Sequence, residues 1–579
     1  MYIDVVPNRN SPPAVLLRES SRAGGKITKR TVANLSDWPM EKVDALRAVL
    51  KSDGPVDVVR RGAFDGFSIS RSLPHGHVVA TLGAMSRLHV TELLGLEPDV
   101  CKRVLALIAA RILEPQSKLA IARAISDASA HWSLAQILGL PHTTTSDDLY
   151  EAMDAALERQ DDIEKTLVTQ HLCNGSLLLY DLTSTYFEGH SCPLAEYGHS
   201  RDGKPGLLQV VVGLLCTREG CPVSVEVFPG NTSDPKSFTA QVEKVRTKFG
   251  LTNVILVGDR GMITSARIRD DLQDVEGMEW ITALRNSDIR KLRDQGAIQL
   301  GVFDKQNLAE ITAPDFPGER LIVCRNPLLA KERSRKRLEL LEVTQTRLEE
   351  VSQRVKREKR PLRGKVEIAR AVERALGRHK MGKHFVLNID DDSFSWKRDE
   401  SAITLEAQLD GFYVIRTSVP AQQLSADQAV AAYKDLATVE RAFRTLKGVD
   451  LKVRPIHHRL EKRVRSHVFL CMLAYYVEYH MRLWLAPIIF QEDDREAAAK
   501  ARADIVSPAV RSDSAHQKIA TKVTQDGMPV HSFKSLIGDL ATISLNTITP
   551  KGNLPSFTMV TKPTPLQKRA FELMGVAAP

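Results

Sequence analysis

The sequence predicts an α/β protein with a mixed-sheet core of order β-β-β-α-β-α-β-α, an α+β insertion and a mostly helical N-terminal region. Three observations carry this. Apolar runs of strand length, SLLLYD (176–181) and NVILVGD (253–259), each end in an acid. Helical periodicity dominates before residue 170 and returns after 425. Between 300 and 422 a charged helical pattern sits among strand-like runs and reads as an insertion.

The first third opens with YIDVV (2–6), AVLLRES (14–20) and KITKRTVANL (26–35), strand-like runs around turn signals at Pro12-Pro13 and Gly24-Gly25. Helical patterns follow at 38–52, 100–113, 117–127 and 146–167, the last with Ser146 as N-cap and acids in its first turn. Such a region packs as a helical bundle or serves to bind DNA ends, and the pattern does not separate the two. The core then reads in order. SLLLYD is a buried strand, LLQVVVGLLC (207–216) and PVSVEVF (222–228) are two more joined around Gly220, and DPKSFTAQVEKVRTKF (234–249) is a helix with Asp234 as N-cap and Pro235 at its first position. NVILVGD is the fourth strand, ITSARIRDDLQD (263–274) a helix and MEWITAL (278–284) the fifth strand.

In the insertion, residues 333–360 carry apolar side chains at 341, 348, 351 and 355, a helix with a narrow seam that could also zip two subunits together from Leu338 onward. Pro361 and Gly364 break it, and 365–380 resumes helix, giving a charged hairpin. HFVLNID (384–390), AITLEAQL (402–409) and GFYVIRTS (411–418) return to strand. Ser425 and Gln428 have capping-box spacing and open a helix that runs through YKDLATVERAFRTLKG to Gly448. On it Tyr433, Glu440 and Lys447 recur every seven residues and share one face, since seven residues is close to two helical turns. A second helix, 459–484, is apolar on one face and basic at its start.

The 579 residues carry a net charge of +9, with 43% hydrophobic and 26% charged residues. Its distribution matters more than its size. Lys331–Lys380 holds 17 Lys/Arg against 8 Asp/Glu, and a second basic run, from Arg441 to Arg465, follows Glu440. A basic run is ordinarily a solvated face. Two of them flanking a candidate site point to a polyanionic partner. MYIDVVPNRN has no apolar run, so no secretory signal is expected. The longest apolar run, VFLCMLAYYV (468–477), is too short to span a bilayer. The seven cysteines show no CxxC pairs, so reduced thiols in a cytoplasmic protein are expected, without a zinc site. GRHKMGKH (377–384) has P-loop glycine spacing but ends in His384, not Ser or Thr, and no strand leads into it.

If the first and fourth core strands lie side by side and parallel, Asp181 and Asp259 project into one crevice at their C-terminal ends. Carboxylates placed together repel, and a hard divalent cation removes the repulsion. Glu440, delivered from a later helix, completes the cage.

YDLTSTYFEG (180–189), YGHSRDGKPGLLQVVVGLL (197–215), VEVFPGNTSDPKSF (225–238), VILVGDRGMIT (254–264) and the YKDLATVERAFRTLKG helix resemble the DDE transposases of bacterial insertion sequences, in the branch with a β-containing insertion between the second Asp and the Glu. The resemblance implies an RNase H-like core and catalytic, metal-holding Asp181, Asp259 and Glu440. It implies Mg²⁺ or Mn²⁺, two ions per site, and DNA partners: terminal inverted repeats and target DNA, engaged by a homodimer in a synaptic complex. Tyr433, Glu440 and Lys447 match the family's Tyr–Arg–Glu–Lys spacing, but the Arg position holds Leu436, which leaves open whether the phosphate-gripping role belongs at 436 or has moved to Arg441 or Arg444. Further DNA contacts are expected from Tyr433, Lys447 and Arg454, and from Lys356, Arg357, Lys359 and Arg360 in the hairpin. The expected division is an N-terminal region 1–170, a core in two parts (171–299 and 423–490), the inserted subdomain 300–422 and a C-terminal region 491–579. The competing readings are a structure-selective nuclease on the same core, which cuts without joining, and a non-catalytic DNA-binding regulator derived from a transposase.

Overall fold

The computed structural model describes residues 1–8, 12–23, 26–51, 67–189, 191–304, 306–502, 504–550 and 555–579. The turn expected at Gly24-Gly25 lies outside them. Strands β1 (Tyr2–Val6), β2 (Ala14–Ala23) and β3 (Lys26–Asn34) form an antiparallel sheet. It closes over Val15, Leu35 and Val43 with the helix Met40–Lys51. Strand β4 (Phe67–Pro74) leads into the N-terminal helices, chiefly Gly76–Arg87, Pro98–Leu113 and Ser146–Glu158.

The last of these corrects the sequence reading in two ways. Its N-cap is Thr145, not Ser146, because Thr145 and Asp148 exchange the two hydrogen bonds of a capping box. The helix also stops at Arg159, and a separate one, Gln160–His171, follows.

The main sheet follows. Strands β5 (Ser176–Tyr186), β6 (Gln209–Thr217), β7 (Pro222–Pro229), β8 (Val254–Val257) and β9 (Met278–Ala283) belong to it. So do β10 (Leu308–Ile311) and β11 (Arg320–Arg325). Strands β12 (Phe385–Ile389) and β13 (Phe394–Arg398) pair only with each other, and β14 (Phe412–Thr417) rejoins the sheet. Its order is β10-β11-β14-β9-β8-β5-β6-β7. The β5–β8 and β8–β9 pairs are parallel and the others antiparallel, so the sheet is mixed. Three strands from the 300–422 segment thus extend the sheet beyond β9. The helices Pro327–Lys356 and Lys365–Gly377 pack instead with β12 and β13 around Leu341, Leu348, Val351, Val355, Ile368 and Phe385. The apolar seam is covered from within the chain, which leaves only exposed Leu338 of the pattern that was to zip two subunits.

AITLEAQL is a helix, Glu400–Ala407, rather than a strand. Asp399 caps it by accepting from Ala402 N at 3.0 Å, and this outweighs the β-branched Ile403 and Thr404. The helix Glu461–Trp484 is buried on nearly all sides rather than on one face, because it lies between β7 and the N-terminal helices. Strand β15 (Ser544–Pro550) pairs back onto β4 and carries β16 (Phe557–Val560) on its other edge, tying the C-terminal region to the start of the N-terminal helices. No helix among the described residues is long and apolar enough to cross a membrane.

Candidate active site

The site begins with register. On the parallel β5–β8 pair Leu179 stands opposite Val257. Asp181 and Asp259, two residues further along each chain, therefore leave the paired region at one level. Strand β5 does not end at Asp181. It runs on to Tyr186 through buried Thr183, Ser184 and Thr185, still paired to β6. Asp259 sits in the turn after β8, where its carbonyl accepts from Met262 N at 2.9 Å and Ile263 N at 3.0 Å. The Tyr433 hydroxyl donates to Asp259 Oδ1 at 3.3 Å.

Glu440 arrives on the helix Leu436–Lys447, which packs on β5. The expected single helix from 425 to 448 is two, Ala426–Lys434 and Leu436–Lys447, with Asp435 between them. The Asp435 carbonyl is taken by the Thr438 N–H at 2.8 Å and the Thr438 hydroxyl at 2.6 Å, and its carboxylate meets Arg218 at 2.8 Å. Asp435 itself keeps helical backbone angles, φ −63° and ψ −16°, so the second helix follows the first directly. Leu436 packs against the core, while Glu440, Arg441 and Arg444 are exposed.

The electrostatics tie the three acids together. Burial pushes the Asp181 carboxyl up to about 7, and the charges of Asp259 and Glu440 push the same way. Its N–H bond from Leu182 at 2.8 Å and the nearby Arg201 oppose the shift. Such a donor set suits a hard divalent cation, which removes the mutual repulsion. The cage is open: among the described residues no three acids bring ligand oxygens within 4.8 Å of one another.

Sequence reasoning missed a fourth acid at this place. Asp234 is not the N-cap of its helix; Ser233 occupies that position and makes no side-chain cap. The Asp234 carboxylate is paired with Arg201. A Cβ placed on Gly261 would touch Asp259 Oδ2 at 3.6 Å and Asp234 Oδ2 at 3.7 Å, so the two carboxylates flank the same glycine. The order of the strands held the clue, since GNTSD directly follows β7.

The expected DNA-gripping cations divide. Lys447 and Arg454 both close on Asp202, at 2.7 and 2.6 Å, and the Asp202 side chain is only 2% exposed. Lys356, Arg357, Lys359 and Arg360, at the tip of the helical hairpin, are exposed and make no side-chain bond or ion pair to the described residues. They form a patch separate from the acids.

Comparisons with known proteins bear on the family. A family model described as the transposase DDE domain matches residues 176–477, more than half of the chain. A second, the N-terminal domain of the IS1634 family transposases, matches residues 3–56. No curated protein matches. Among solved structures, a piggyBac transposase synaptic complex with hairpin DNA is similar at 9% identity and a TM-score of 0.35, covering 77% of this chain and 70% of that one.

Proposed function

The chain belongs to the DDE transposases of insertion sequences and is an insertion-element transposase that depends on a divalent metal; from that premise we propose that Asp181, Asp259 and Glu440 are its catalytic, metal-holding carboxylates. The observation that carries the proposal is the level placement of Asp181 on β5 and Asp259 just past its parallel neighbour β8, with the charge of Glu440 acting on the Asp181 carboxyl. The surrounding core is read as RNase H-like, residues 171–299 and 423–490, with the insertion 300–422 between its halves. Residues 1–170 are assigned to the element ends, and 491–579 form a C-terminal region.

Bound there, Mg²⁺ or Mn²⁺, as a pair of ions, supplies an activated oxygen nucleophile and stabilises the leaving oxygen in a displacement at phosphorus. The chain supplies position. Tyr433 holds one oxygen of Asp259, and the Gly261 N–H donates weakly to the other at 3.4 Å. Arg441 and Arg444, exposed on the helix that carries Glu440, face the phosphates of the strand being cut. Lys447 and Arg454 exchange Asp202 for phosphate when DNA binds. The reaction cuts at the terminal inverted repeats and joins 3′ ends to target DNA, with two copies of the chain holding a pair of ends.

Donor cleavage with Mg²⁺ tests the assignment. Asp181→Ala, Asp259→Ala and Glu440→Ala are each expected to cut at least about 1000-fold more slowly, a loss of roughly 4 kcal/mol of transition-state stabilisation. If all three cut as well as the parent, the assignment is wrong. Pre-cut ends bearing a 3′-hydroxyl should be inserted into a plasmid by the parent; a pure nuclease would leave them unjoined.

A further inference from the structure

Three side chains far apart in sequence meet at a place that the transposition chemistry does not use. His171 ends the helix Gln160–His171, Cys221 closes the turn before β7, and His480 lies near the end of Glu461–Trp484. One ligand atom of each lies within 4.8 Å of the other two, and theirs is the sole such group of His, Cys, Asp or Glu among the described residues. Cys221 Sγ is 3.8 Å from His480 Nε2, close to the sulfur–nitrogen separation of about 3.6 Å set by zinc bonds of about 2.3 and 2.0 Å in a tetrahedron. The two imidazoles stack at 5.7 Å. We propose that His171, Cys221 and His480 form a structural zinc site, separate from the carboxylates, that staples the N-terminal helices to the sheet and to the Glu461–Trp484 helix.

The surroundings fit the ligand set. The imidazoles of His171 and His480 each offer a ring-nitrogen lone pair to a metal when neutral. The Tyr476 hydroxyl lies 3.0 Å from His171 Nε2, the kind of outer partner that fixes which ring nitrogen faces the ion. Burial and then Glu219 push the Cys221 thiol up, so without metal it stays protonated. Zinc binding forms the Zn–S bond and releases that proton to solvent. The three side chains supply three of the four positions of a tetrahedral zinc.

The turn that carries Cys221 also reaches the catalytic helix. Arg218 holds Asp435 at the helix break, and a Cβ on Gly220 would press on Thr438 Cβ at 3.0 Å. Fixing Cys221 therefore fixes the turn against which the Glu440 helix starts.

Metal content and Co²⁺ spectra of the full-length chain test the site, with Asp181→Asn as the control for binding at the carboxylates. The parent and Asp181→Asn should each retain about one zinc per chain after desalting. Cobalt in its place should give a thiolate charge-transfer band and intense tetrahedral d–d bands. Cys221→Ser should lose the charge-transfer band, and His480→Gln should bind zinc at least about 100-fold more weakly. A parent chain that takes up no zinc and shows no cobalt–thiolate band overturns the proposal even if the variants fail to fold. So does a folded Cys221→Ser chain that keeps the band, or a zinc count abolished by Asp181→Asn alone. A buried thiol–imidazole contact without metal is the outcome in the first case.

Discussion

Two sets of cations offered to DNA meet different fates in the fold. Lys447 and Arg454, beside the acids, share one nearly buried counterion, Asp202. Lys356, Arg357, Lys359 and Arg360, at the tip of the insertion, stand in solvent without partners among the described residues. The contrast follows from dielectric. Near the carboxylates a cation is partly desolvated and would be costly without an opposing charge, so the free protein holds it on an internal acid. At the hairpin tip water screens each charge, and none needs a partner. On the proposed reading the first set is poised for exchange beside the carboxylates, and the second adds affinity that salt removes.

The largest effect expected from this comparison is on cleavage. Lys447→Ala should slow donor cutting by about 100-fold, near 3 kcal/mol, while a hairpin-tip variant should cut at close to the parent rate in low salt. Equal losses from both would erase the distinction. Asp202→Asn comes next. It leaves Lys447, 11% exposed, without its charge partner, and urea unfolding should show a loss of roughly 3 kcal/mol. The freed cations should also steepen the salt dependence of DNA binding, and an unchanged slope together with unchanged stability would mean that Asp202 restrains nothing. Replacing Lys356, Arg357 and Lys359 by Gln should flatten the log–log salt slope by two or more, at about 0.9 for each phosphate that is no longer neutralised. Stability should stay within about 0.5 kcal/mol of the parent. An unaltered slope would return the tip to an ordinary solvated face. The last comparison, in which only one side should respond, separates the two faces of the long insertion helix. Leu348→Ala, at a fully buried position, should cost about 3 kcal/mol. Leu338→Ala, at 53% exposure, should change neither stability nor the sedimentation of the free protein; a shift toward monomer would restore the subunit contact to Leu338.

The sheet was legible where period and composition agree. LLQVVVGLLC, PVSVEVF and NVILVGD are strands because β-branched and apolar residues run without interruption between turn residues, and strands covered on both faces need nothing else. The level placement of Asp181 and Asp259 followed from the parallel pairing alone. The end of β5 was misread because Thr183, Ser184 and Thr185 look like a turn by composition, whereas pairing to β6 keeps them extended. The helix break was hidden for a different reason. Asp435 is bonded by Thr438 nearby but also by Arg218, which is remote in sequence. Asp234 looked like a cap because Pro235 follows it; only the folded chain sets Arg201 beside it. His171, Cys221 and His480 carry no spacing signal at all, since each comes from a different element.

Metal-preference switching tests the central assignment most directly. Asp181→Cys and Asp259→Cys replace a hard oxygen ligand with a softer sulfur. If these residues hold the metal, both variants should be inactive on donor DNA with Mg²⁺ and regain cutting with Mn²⁺, while still binding the DNA in Ca²⁺. Variants equally active, or equally dead, with both ions would contradict the account.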